Sequence, residues 1–326
     1  QYAYTWGNTA AYGMIPYNMP NPSLGWEHTT QYNLGLDFAF LNQRLTGTLE
    51  VYLSNTRDIL MYRSIVPITG YAQIMDNIGR MRNKGLEFTI SSKNIVNKDF
   101  SWSTDLSVSS NKNQIVELVN GKQDMAGNNW YIGQPLNVFR TYHIAGIWQN
   151  TTEDLAEIAK WKANGYTFAV GQYKPQELGT PDYKLTDADK SIVGSTDPKV
   201  VLGLTNTFTY KNWEFSFFLY SRLGQKYFSS LLPAGINGTN YVGYGRHVKA
   251  SDFWSPSNTS GKYPQPSTAS AATVNSSLTQ ASYVNDGSYL IVRNISLGYK
   301  LPAKFANKLN MKSMQIFGQV MNPFIF

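Results

Sequence analysis

The sequence predicts an all-β chain: the wall of a transmembrane antiparallel β-barrel, with short turns at one end and long loops at the other. Three observations carry this. Apolar and polar residues alternate with period 2 in about eight segments. The connections between segments divide sharply into very short and very long. Aromatic residues gather on the apolar face beside the short connections.

The first segment shows the pattern. Thr30, Tyr32, Leu34, Leu36, Phe38 and Phe40 form one face, and Gln31, Asn33, Gly35, Asp37 and Ala39 the other. After a turn at Asn42-Gln43, Leu45, Gly47, Leu49, Val51 and Leu53 alternate with Thr46, Thr48, Glu50 and Tyr52, completing a hairpin. Leu86, Phe88 and Ile90 alternate with Glu87, Thr89 and Ser91. Past Asn97-Lys98-Asp99, Phe100, Trp102, Thr104, Leu106 and Val108 alternate with Ser101, Ser103, Asp105, Ser107 and Ser109. A third hairpin pairs Leu202, Leu204, Phe208 and Tyr210 with Trp213, Phe215, Phe217 and Leu219 across Lys211-Asn212. The fourth joins a strand through Tyr289–Tyr299 to a less regular one near Met314–Met321. The stretch between them, Pro302 to Lys312, has room for a turn of helix. The long loops are expected near 57–80, 112–199 and 224–286.

The two faces are inverted relative to a soluble barrel, whose interior fills with apolar side chains. Here Ser, Thr, Asn and Gly with Asp37, Glu50, Glu87 and Asp105 make the inner face, and the apolar residues point to lipid. Strict parity would place Arg80, Arg82 and Lys84 on the lipid side, where a charge at the midplane costs ~2–4 kcal/mol. The membrane-embedded part of that strand is therefore expected to begin near Gly85, with the basic residues above the lipid.

Composition excludes several classes. Charged residues are 15% of the chain, against about 25% in a typical globular domain. With no Cys, disulfide scaffolds and thiolate metal sites are ruled out. The net charge of +7 is scattered rather than striped, which argues against nucleic-acid binding. No apolar run approaches the ~20 residues of a membrane helix. His28, His143 and His247 lie far apart in sequence, and neither H-E-x-x-H nor G-x-S-x-G occurs, so nothing points to an enzyme.

Two loop segments combine aromatic and amide groups: Asn128-Asn129-Trp130-Tyr131, and Tyr241 through Tyr244 to Arg246. Trp and Tyr can stack on sugar rings, while Asn and Arg bond hydroxyls or peptide carbonyls. These are the candidate ligand contacts; the competing reading is that they pack loops together. Trp254-Ser255-Pro256, with Pro264 and Pro266, reads as a stiff loop suited to a partner contact.

Four blocks in order then carry a resemblance. They are Asn21-Pro22-Ser23-Leu24-Gly25-Trp26-Glu27 with Thr30 to Asp37, Asn77 to Glu87, Gly146-Ile147-Trp148-Gln149, and Asp286-Gly287-Ser288-Tyr289 through Tyr299. Their order and spacing resemble SusC/RagA-type TonB-linked outer-membrane proteins along essentially the whole chain. The resemblance implies a 22-stranded TonB-dependent receptor barrel in the bacterial outer membrane, with long extracellular loops and short periplasmic turns. Residues 1–326 would be a partial barrel, with the plug domain and the last strand lying outside this sequence. It also implies a SusD-like lipoprotein lid, energy from the TonB complex through the plug, and a glycan or peptide as the imported nutrient. Family members often carry a calcium-loop-like acidic segment. Here Asp182, Asp187, Asp189 and Asp197 lack the D-x-[DN]-x-[DN]-G pattern, which favours a solvated acidic loop over calcium binding at Asp182, Asp187 and Asp189. The rival readings are a passive porin or structural outer-membrane barrel, and a secreted β-rich carbohydrate-binding protein.

Overall fold

The computed structural model describes residues 2–6, 9–13, 17–229, 252–265, 277–278 and 280–326. The chain divides into two compact units. One comprises residues 1–137, 199–221 and 289–326, and the other residues 138–198 and 222–288.

The first unit is built on an eight-stranded sheet of β1 (His28–Phe40), β2 (Leu45–Arg57), β3 (Arg80–Val96), β4 (Phe100–Glu117), β5 (Val200–Tyr210), β6 (Trp213–Leu223), β7 (Tyr289–Lys300) and β8 (Gln315–Ile325). Each strand lies beside its neighbour in sequence, so the sheet is an open meander with β1 and β8 as its edges. Three of its connections are tight. Leu41, Asn42 and Gln43 all take left-handed backbone angles, and the Arg44 N–H closes the turn on the Leu41 carbonyl. Asn97 N–H bonds the Phe100 carbonyl between β3 and β4, and Lys211 turns β5 into β6 with φ 52°. The fourth, between β7 and β8, holds helix α2 (Ala303–Lys308), numbered after α1 (Thr152–Ala163) of the second unit.

Register confirms the sidedness. Leu36, Leu49, Phe88, Val108 and Leu202 form one continuous row across β1 to β5. On the opposite face Asp37, Thr48, Thr89, Ser107 and Gly203 form the adjacent row. On the apolar side Leu34, Leu36, Trp213 and Phe215 are 72, 60, 48 and 38% exposed among the described residues. That excludes a dry core on this face and leaves lipid as the medium it suits.

The aromatic residues of the belt meet in three groups. Phe38 neighbours Phe40 and Phe88 at ring-centroid distances of 5.5 and 6.5 Å. Phe208 links Trp102 (5.7 Å) to Phe215 (6.1 Å), and Trp213 meets Tyr299 at 4.6 Å. Asn206 interrupts the apolar alternation. The structure resolves this by burying it and bonding its Oδ1 to Trp102 Nε1 (2.8 Å) and Thr104 Oγ1 (2.7 Å), so no unsatisfied amide oxygen faces hydrocarbon.

One glycine explains a strong sequence signal. A Cβ on Gly85 would lie 2.5 Å from the Tyr52 ring, which crosses it from β2 to place its hydroxyl 3.0 Å from Asn111 Oδ1 on β4. The ring thereby ties three strands together on the polar face, and only glycine leaves it room.

The expected loops contain more regular structure than their sequences signal. β4 continues to Glu117 although Lys112–Glu117 does not alternate, because β3 supplies ladder partners up to Arg80. Residues 57–80 include an antiparallel pair, Leu60–Ser64 with Gln73–Asn77, extended in parallel by Asn18–Met19.

Two substitutions probe the sheet in the full-length receptor. Leu36→Arg is expected to cost about 2–4 kcal/mol of barrel stability, whereas Thr89→Arg, on the polar face, should cost far less. The difference should be visible as loss of heat-modifiable electrophoretic mobility in the first variant only. Gly85→Val should displace Tyr52 and destabilise by about 1–3 kcal/mol. Adding Tyr52→Ala should recover part of that loss in urea unfolding.

Candidate functional site

At the long-loop end of the first unit, two of the quoted sequence blocks grip each other. Asn21 Nδ2 donates to the Met75 carbonyl (3.0 Å) and Asp76 Oδ1 (3.2 Å), while its Oδ1 accepts the Ser23 N–H in an Asx turn. Asn77 accepts the Gly25 N–H at 2.6 Å, and its Nδ2 reaches the carbonyls of Gly25 and Asp58. Glu27 accepts the Leu60 N–H at 2.7 Å. Gly79 turns with φ +92°, where a Cβ would meet the Glu117 carbonyl at 2.5 Å. These residues fix the loop rim; their role is architectural.

The candidate ligand segment lies beside this rim. Residues 115–134 fold back on β4, with Ile115 N–H bonded to the Gln134 carbonyl and Gly133 N–H to the Ile115 carbonyl. A short 3-10 turn, Ala126–Asn128, ends at Asn129, whose left-handed φ of 60° suits an Asn. Asp124 accepts the Ile132 N–H at 2.7 Å and pins the far side. The turn leaves Asn129 exposed and Asn128, Trp130 and Tyr131 half-buried, so aromatic and amide groups share a braced surface segment. Its chemistry is noncovalent: stacking and hydrogen bonding. Tyr241, Tyr244 and Arg246 lie outside the described residues, as do His247 and Pro266.

The second unit has its own core of Trp148, Trp161, Phe168 and Leu278. Trp161, on α1, meets Tyr166, Phe168 and Tyr183 edge-on at 5.2, 5.4 and 5.8 Å. The Gly146–Gln149 block is the hub. Trp148 is fully buried, with the Lys174 ammonium 4.5 Å above its ring. Gln149 Oε1 accepts Trp254 Nε1 at 2.7 Å, and Gln149 N–H bonds Asp154 Oδ2. Trp254 is therefore buried inside its own unit, which corrects the expectation that it serves as a partner contact; packing against Gly171 and Gln149 absorbs it.

Charge pairs brace this unit. Burial alone would raise the Asp154 carboxyl, but bonds from Lys174 and the Gln149 N–H outweigh it and hold the group below the usual range. Burial likewise opposes the Lys174 charge, yet Asp154 and Glu157 raise its pKa overall. Asp187 is lowered chiefly by the two-pronged bond from Arg140, at 2.7 and 2.9 Å. Asp286 is lowered to about 2, chiefly by Ser288, whose N–H it accepts at 2.8 Å.

The acidic side chains of this segment have partners within the protein. Asp189 is buried with both carboxylate oxygens engaged, one by the Leu178 and Gly179 amides and the other by Thr186, as a helix-capping box. Asp187 is committed to Arg140, and Asp182 accepts the Lys184 N–H. Among the described residues no three His, Asp or Glu side chains gather as a metal site. His143 bonds Ser191 instead, at 2.6 Å.

An antiparallel meander with one apolar, uncovered face and one polar face defines the class: an outer-membrane β-barrel wall. The family model "TonB dependent receptor-like, beta-barrel" matches residues 1–322, and the chain belongs to that family. It is 29% identical to "TonB-dependent receptor P3" of Formosa agariphila across 98% of this chain and 32% of the relative. It is 32% identical to "TonB-dependent receptor SusC" of Bacteroides thetaiotaomicron, across 94% of this chain and 29% of the relative. A solved structure described as "Structure of the RagAB peptide transporter" matches with a TM-score of 0.77 and 18% identity, over all of this chain and 34% of that one, which is a likeness of fold. The chain thus spans about a third of the length of the relatives it matches. The four sequence blocks all fall within the residues that this family model matches.

The charge pairs set a pH window for the second unit. A depressed carboxyl pKa gives stability that is full above the unfolded Asp value of about 3.9 and is lost as pH falls through the folded value. The raised Lys174 pKa gives stability that is full below about 10.4 and is lost as pH rises through the folded value. Pepsin susceptibility between residues 138 and 198 should therefore rise below about pH 4. Asp154→Asn should increase cleavage at pH 5 and flatten the acid dependence; unchanged profiles would remove Asp154 from the account.

Proposed function

We propose that this chain is part of the barrel of an active importer that takes up oligopeptides or glycans too large for passive porins. A SusD-like surface lipoprotein would serve as its lid, and the TonB complex would supply energy through a plug carried elsewhere in the receptor. The supporting observation is the sidedness of the meander: a lipid-suited outer face backed by an inner face of Ser, Thr, Asn and Gly with Asp37, Glu50, Glu87 and Asp105. Such a wall lets a polar solute pass without binding it tightly. The neighbour described as a peptide transporter favours peptides among the two substrate classes. The braced segment Asn128, Asn129, Trp130 and Tyr131 would contribute capture contacts.

The test is uptake of labelled oligopeptides and oligosaccharides by cells carrying the full receptor and its partner lipoprotein. Uptake should vanish when either gene is deleted or when the proton-motive force is collapsed. Uptake that survives collapse would mean passive diffusion. Trp130→Ala with Tyr131→Ala should raise the half-saturating substrate concentration roughly tenfold at unchanged receptor level.

A further inference from the structure

The lipid-facing side of β1–β4 does not end where its apolar rows end. Beyond the row Leu34, Val51 and Leu86, the next row on the same face places Lys84 directly opposite Lys112. The row after it carries Arg82, and the one after that places Arg57 directly opposite Arg80. All five cationic side chains are exposed, while Met81, Asn83 and Gly85 turn to the other face and are partly covered.

Height agrees with a boundary position. At about 3.3 Å per residue and a tilt near 40°, the ten steps from Val96 to Leu86 rise about 25 Å, the thickness of an outer-membrane apolar band. Lys84 then stands at the edge of the lipid at the long-loop end, with Arg82, Arg80 and Arg57 just above it.

Two like-charge pairs directly across a ladder destabilise a sheet unless something neutralises them. Arg80 Nε lies 3.5 Å from Glu117 Oε2 and Arg57 Nε 3.8 Å from Asp58 Oδ2, while Arg82 Nε donates to Asn55 Oδ1. Among the described residues Arg82, Lys84 and Lys112 have no carboxylate within 4.0 Å, so the patch keeps an excess of positive charge. It adjoins uncovered leucine and valine side chains.

We propose that this patch binds the phosphate-bearing headgroup of an outer-leaflet glycolipid, with acyl chains along the Leu34, Val51 and Leu86 row and phosphate between Lys84, Lys112 and Arg82. The guanidinium fork and the paired ammonium groups suit phosphate oxygens, and basic groups beside an apolar band are how proteins hold lipid headgroups. The inference rests on the reading that the long-loop end is extracellular.

Native mass spectrometry of the complete receptor, purified in mild detergent, tests it. A phosphorylated glycolipid should co-purify. The variant Arg80→Gln, Arg82→Gln, Lys84→Gln, Lys112→Gln should retain about tenfold less of it or lower still, while Lys160→Gln with Lys162→Gln on α1 should retain the normal amount. Lys84→Gln with Lys112→Gln, which relieves one repulsive pair, is the second variant should the first fail to fold. Added dephosphorylated glycolipid should bind as weakly to the wild type as the phosphorylated form binds to the variant. Millimolar inorganic phosphate should not displace the bound lipid. Equal lipid retention by a folded variant, equal binding of the dephosphorylated lipid, or displacement by inorganic phosphate would each overturn the assignment. Orientation is read separately in a Cys-free form of the complete receptor, where Lys122→Cys, at an exposed position of the long-loop end, should be labelled by an impermeant maleimide on intact cells. Absence of labelling would overturn the outer-leaflet placement, whatever the uptake assay shows.

Discussion

Hydrocarbon offers no hydrogen-bond partner, so every backbone N–H and C=O that enters it must be paired within the protein. The order of the strands meets that constraint in the simplest way, because each of the eight lies beside its neighbour in sequence and needs only a short turn at one end. The same constraint makes β1 and β8 incomplete as edges: an unpaired row of backbone groups cannot face lipid, so the sheet requires further strands to close it. Membership of the TonB-dependent receptor β-barrel family, in relatives about three times as long, is in keeping with that requirement.

Once the ladder is fixed, period 2 decides which side chains meet which medium, and the exceptions show how strict the rule is. Asn206 points outward but is buried, its oxygen taken by Trp102 and Thr104. On the inner face Tyr52 spans three strands because Gly85 leaves its ring room. The basic rows at Lys84 and above keep the outward parity, and they can do so because the apolar band ends beneath them.

The sequence blocks that identify the family turn out to be joints. Asn21 and Gly25 bind Met75, Asp76 and Asn77, so the first two blocks form one latch. The third places Trp148 and Gln149 at the centre of the second unit, and the fourth uses Asp286 to set the Ser288 turn into β7. Such blocks mark the architecture reliably but say little about the ligand, because ligand contacts sit on loops that the scaffold leaves free to vary.

Alternation in Thr30–Phe40, Leu45–Leu53 and Phe100–Val108 was enough to predict the strands, their pairing and their two faces, because a strand's side-chain period is local and fixed by the backbone. The absence of Cys and of catalytic motifs was equally plain in the sequence. Only the tertiary structure showed that β4 runs on through Lys112–Glu117, that Trp254 turns inward to Gln149, and that Asp187 pairs with Arg140. Each of these depends on partners distant in sequence: a neighbouring ladder, a buried amide and a guanidinium 47 residues away. No local pattern encodes such meetings, since they arise only when the folded chain brings those groups within bonding distance.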